Sequence, residues 1–94
     1  MDTDLTLRPS VAWFAQEMER KLRLNDAKKG GQANWRKDLP ADLMLRLEEE
    51  AAELWEALHS GPSSLVLAEA ADVANFAMMI ADVLCDEPEA TDPE

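Results

Sequence analysis

Ninety-four residues with a formal net charge of −11 make one small domain. The acidic balance argues against a surface for duplex nucleic acid, because phosphate backbones need Lys and Arg. A single cysteine, Cys85, excludes an internal disulfide framework and fits a reducing cytoplasm. All nine basic residues lie at or before Arg46, whereas thirteen of the twenty acids follow it.

In chain order, residues 1–10 read as a lead-in, and the acidic start Met1-Asp2-Thr3-Asp4 lacks the cations of a signal peptide. Pro9 and Ser10 mark a helix start. Val11, Phe14, Met18, Leu22 and Leu24 then repeat at helical spacing to about Asn25, with Glu17, Glu19, Arg20 and Lys21 on the outer face. From Asp26 to Pro40 the chain turns basic, with Lys28, Lys29, Arg36 and Lys37 around one aromatic, Trp35. Gly30-Gly31 breaks the helix there, which predicts a basic loop.

Pro40 and Asp42 open a second helix with the apolar line Leu43, Leu47, Ala51, Leu54 and Leu58, stopped by Ser60-Gly61-Pro62. His59 serves the carbonyls at its end. Ser63 or Ser64 caps a third helix over Leu65–Leu84, and the proline-bearing acidic tail 86–94 reads as disordered. No β pattern appears. The expected fold is all-α: one domain over residues 11–85, an antiparallel bundle of about three main helices completed by oligomerisation.

Strongly polar side chains interrupt the third helix only at Glu69, Asp72, Asn75 and Asp82. A helix so apolar around its circumference has to be covered by protein or lipid. Its length would cross a bilayer, but mid-helix carboxylates and the lack of a flanking basic cluster reject a membrane span. A homodimer or homotetramer is the expected cover.

Glu69 and Asp72 lie three residues apart and share a helix face. With Leu47 at the centre of the second helix's buried face, Glu50 falls about 60° off centre and Glu53 about 120° off. The short turn makes the two helices antiparallel neighbours, so both carboxylate pairs meet at similar height. Bare buried carboxylates would protonate. Residues 47–94 contain no Lys or Arg, so a cation must come from the N-terminal half, a partner chain or solvent. Four converging oxygen donors fit Mg²⁺ or Mn²⁺. Zinc fits poorly, because His59 and Cys85 are remote from the cluster.

The pattern Glu49-Glu50-x-x-Glu53, a turn, then Glu69-x-x-Asp72 resembles the MazG-like all-α nucleoside triphosphate pyrophosphohydrolases, whose relatives include dimeric dUTPases and dCTPases. The stretches Phe14–Leu22 and Glu69–Met79, and the Lys28-Lys29-Gly30-Gly31 segment with Trp35, look like small phage and bacterial members. The resemblance covers roughly residues 11–84 and implies hydrolysis of an NTP or dNTP to the monophosphate and pyrophosphate. It also implies that Glu50, Glu53, Glu69 and Asp72 hold Mg²⁺, and that Glu53 helps to deprotonate the attacking water. Several members of the family place a basic residue or Tyr soon after the second acidic motif. Here Phe76 and Ala77 follow instead.

Lys28, Lys29, Arg36 and Lys37 either steady phosphates or form a solvated basic loop. Trp35 either stacks on a base or anchors an interface. Asn75, one turn past Asp72, either contacts the metal ligands or the sugar, or is a satisfied core amide. A competing reading makes the chain an acidic interaction module that mimics DNA charge, or a catalytically inactive relative. The mimic would spread the four carboxylates outward at phosphate-like spacing.

Overall fold

The computed structural model describes residues 5–28 and 34–85. Three helices, α1 (Pro9–Lys28), α2 (Pro40–Ser60) and α3 (Ser63–Cys85), form an all-α bundle, with a short 3₁₀ helix at Trp35–Lys37 and no strand among the described residues. The tail 86–94, the lead-in residues 1–4 and Lys29 lie outside the described residues.

Each helix starts where backbone chemistry allows. Pro9 and Pro40 take first-turn positions, where a missing N–H leaves no bond unmade. The Arg8 carbonyl accepts from the amides of Val11 and Ala12, both at 3.0 Å. In α3 the Pro62 carbonyl accepts from Leu65 and Val66, so Ser63 and Ser64 stand inside the first turn rather than capping it. Helix α1 continues to Lys28, three residues past the expected stop at Asn25, so the basic segment begins as helix rather than loop.

Helices α2 and α3 are joined by Gly61 and Pro62 alone. Gly61 is extended (φ −99°) and donates to the Ala57 carbonyl at 2.8 Å. Its value there is close approach: a β-carbon would sit 2.8 Å from Leu65 Cδ2 and 3.2 Å from Ala57 O. The nearby His59 Nδ1 lies 2.8 Å from the Trp55 carbonyl, so the ring serves the end of α2 as expected. Because a carbonyl only accepts, Nδ1 carries the proton in that bond.

The inward faces are rotated from the expected ones. On α2 the covered residues are Leu43, Leu47, Glu50, Leu54 and Ala57, whereas Ala51 and Leu58 are exposed. The stripe thus steps by four and three, and it runs through Glu50. On α1 the inward stripe is Phe14, Glu17, Met18, Lys21, Leu22 and Asn25, while Val11 and Leu24 are exposed. Glu17 and Lys21 therefore leave the outer face on which the apolar pattern placed them.

Both α1 and α2 pack on α3. Within the single chain, α3 buries only Ala71 and Asn75 fully. By length and composition α3 is apolar enough to cross a membrane, with 17% of its most apolar window buried. The fully buried apolar core of the described chain is Leu43, Ala57 and Ala71. Trp13, Leu45, Trp55, Leu58 and Leu84 all remain more than half exposed.

Candidate metal centre

Pairs of interacting residues fix the register. Lys21 faces Asp72 and Met18 faces Asn75, so α1 runs antiparallel to α3. Arg46 lies over the ring of Phe76, 5.0 Å from its centre, and Glu50 is coupled to Asp72 one turn on. Helix α2 thus meets α3 with Glu50 opposite Asp72 and Glu53 opposite Glu69, the matching height that the short turn predicts. One carboxylate oxygen from each of Glu50, Glu69 and Asp72 lies within 4.8 Å of the other two. All three residues are half-buried.

Glu53 stands at the exposed rim of this group, near enough to Glu69 for its charge to raise that carboxyl. A cleft of about 390 Å³ opens beside them towards the turn, lined by Glu53, Glu56, Ala57, Leu65 and Glu69 among others.

The electrostatics show how unwelcome bare carboxylates are here. Burial, then repulsion from Glu53, Asp72 and Glu69, pushes the Glu50 carboxyl up to about 7, against a smaller lowering by Arg46. Glu69 is also raised, first by burial, then by the charges of Glu53 and Asp72. Lys21 opposes that shift. Its Nζ lies 3.3 Å from Asp72 Oδ2 in a pair whose side chains are 25% and 17% exposed.

The donor set fits a hard divalent cation. All the groups are carboxylate oxygens, and Glu69 Oε1 is buried with no partner. Opposed oxygens around Mg²⁺ stand about 4.2 Å apart. Adjacent oxygens stand closer still, about 3.0 Å apart, so side-chain rearrangement would draw the three, all within 4.8 Å of one another, onto one ion.

The other candidate site residues fall elsewhere. Trp35 Nε1 donates to Asp82 Oδ2 at 3.0 Å, and Arg36 Nη1 meets both Asp82 oxygens at 3.2 and 3.1 Å. Asp82 is ten residues past Asp72, about 15 Å along the helix. Lys37 is exposed on the same 3₁₀ helix, and Lys28 ends α1 about 10 Å beyond Lys21. Asn75 is 3% exposed; its Nδ2 donates to the Met18 carbonyl at 3.0 Å, whereas Oδ1 is buried without a partner. The fourth polar residue of α3 thus has a definite use: Asp82 holds the 3₁₀ helix to the bundle. Asp82→Ala should destabilise the protein by about 2 kcal/mol, since it leaves a half-buried indole N–H without its acceptor and removes the ion pair with Arg36. Urea unfolding measures this, and an unchanged midpoint would refute it.

Two charged residues near the carboxylates are not evident from the apolar pattern. A helical wheel through Phe14, Met18, Lys21 and Asn25 would have turned Lys21 inward, and Arg46 precedes Glu50 by four residues on one face. Among family models, curated proteins and solved structures, none matches this chain.

Proposed function

We propose that this chain is a Mg²⁺- or Mn²⁺-dependent nucleoside triphosphate pyrophosphohydrolase, as its resemblance to the MazG-like enzymes implies. The observation that carries the reading is the convergence of Glu50, Glu69 and Asp72 from two helices to within 4.8 Å, with Glu53 beside them. A charge mimic would gain nothing from burying these groups against one another. It would hold them apart in solvent.

Glu50, Glu69 and Asp72 would hold the cation, and Glu53 completes the set at the rim. A bound divalent ion supplies charge neutralisation and alignment of the triphosphate. Glu53, exposed on the cleft, is placed to take a proton from water as its oxygen bonds to the α-phosphorus. The bond from that phosphorus to the bridging oxygen breaks, and pyrophosphate leaves with the electron pair. Arg46 and Lys21 lie near enough to offset negative charge at the centre. Phosphate contacts from Trp35 and Arg36 would first require release from Asp82.

The exposed apolar side chains of all three helices support self-association as a homodimer or homotetramer. Carboxylates in the middle of α3 support a soluble, cytoplasmic protein over a spanning one. The test is pyrophosphate release from a panel of NTPs and dNTPs with Mg²⁺ or Mn²⁺. At least one nucleotide should give monophosphate and pyrophosphate. No product from any of them would overturn the proposal and favour an acidic interaction module.

A further inference from the structure

Beyond offsetting negative charge at the centre, the ammonium of Lys21 sits directly on one of the carboxylates that would hold the ion, 3.3 Å from Asp72 Oδ2. It reaches Asp72 from a third helix, across the seam that Asn75 and Met18 also join. The pair is largely shielded from water, so neither charge is well screened by solvent. Beside it, Glu69 Oε1 and Asn75 Oδ1 are buried without partners, and the Asn75 side chain is committed to the bundle at 3% exposure. The cluster therefore keeps unused oxygen donors while one of its carboxylates is paired with a lysine.

We propose that Lys21 is the resident counter-ion of the carboxylate cluster, and that a divalent cation entering the cluster displaces its ammonium from Asp72. This rests on Glu50, Glu69 and Asp72 binding such an ion. An ammonium and a divalent ion on the same carboxylate repel each other, and that repulsion favours exchange over joint occupancy. Lysine suits a displaceable partner: it is a compact charge on a flexible stem, whereas arginine would grip a carboxylate through two parallel bonds. The displaced ammonium stays tethered to α1 beside the ion, available to an anion that the ion draws in. Metal-free chains keep Asp72 compensated, and loading exchanges one cation for another instead of filling a bare acidic hole.

Mn²⁺ titration of the full chain, followed by the Mn²⁺ electron paramagnetic resonance signal and by calorimetry, tests this with two variants. Lys21→Met removes the competitor and should tighten Mn²⁺ binding about tenfold. Lys21→Arg holds Asp72 more firmly and should weaken binding severalfold. A purely structural lysine predicts the opposite order, with Met weakest and Arg near the parent chain, and that order would overturn the proposal. Equal affinity in all three proteins would overturn it too, leaving the metal centre intact. Mn²⁺ bound by none of them would overturn the metal centre itself. If Lys21→Met fails to fold without metal, recovery of its melting transition on adding Mn²⁺ supports the exchange. If it stays unfolded with Mn²⁺, the direction of the shift in Lys21→Arg decides.

Discussion

Asp72→Asn should lower the rate of pyrophosphate release by about a hundredfold or more while leaving the chain folded. Asparagine keeps the shape of the side chain and one of its oxygens, so packing along α3 is unchanged. What disappears is the negative charge at the point where three helices bring polar groups together: the Lys21 pair, the neighbouring Glu50 and the neighbouring Glu69. A catalyst that works through charge neutralisation loses most of its advantage when that charge goes. Glu48→Gln is the control. Glu48 is exposed on α2, and its replacement removes an equal charge from the same helix. Turnover should stay within twofold of the parent chain. If both variants behave alike, the carboxylate cluster is not where the chemistry happens.

The second large effect concerns stability without metal. The Glu50 carboxyl sits at about 7 in the folded chain against an ordinary value of 4.5, mainly because of burial and then of the neighbouring acids. The folded state thus binds this proton more tightly than the unfolded state does. Its contribution to stability is complete below pH 4.5 and is lost as pH rises through about 7. Glu69 is shifted the same way and adds to the trend. With chelator present, the melting temperature should fall between pH 5 and pH 8. Glu50→Gln should flatten part of that fall and raise stability at pH 8 by about 1 kcal/mol, allowing for solvent screening, or several degrees in a domain this small. Adding Mg²⁺ to the parent chain should reverse the loss at pH 8, because the ion replaces the missing protons. A metal-free protein that grows more stable between pH 5 and pH 8 would contradict the whole electrostatic account.

The helices themselves were largely legible. Proline marks the starts of α1 and α2, and Gly61-Pro62 marks the one turn that sets α2 against α3. The height match of the two carboxylate pairs followed from counting back from that turn. Rotation was harder to read. Ala51 and Leu58 extend the apolar line of α2 as plausibly as Glu50 and Ala57 do, and only the surface offered by α3 decides between them. The same ambiguity hid Lys21 on a nominally polar face, because its partner Asp72 lies 51 residues away in sequence. The basic segment was misleading for a related reason. Composition marks Trp35 and Arg36 as phosphate or base contacts, but nothing local reveals that Asp82 claims both. Resemblance pointed at the acidic motifs and said nothing of the helix-to-helix contacts around them.

The tightness of the Gly61-Pro62 connection makes it a phase setting for everything beyond it. One residue inserted there would change where α3 starts against α2, and so shift Glu69 and Asp72 relative to Glu50 while leaving every helix intact. Length variation is consequently better tolerated between α1 and α2, which eleven residues separate, than at this two-residue hinge. Homologous chains that keep the chemistry should differ freely in the first gap and keep strict count across the second.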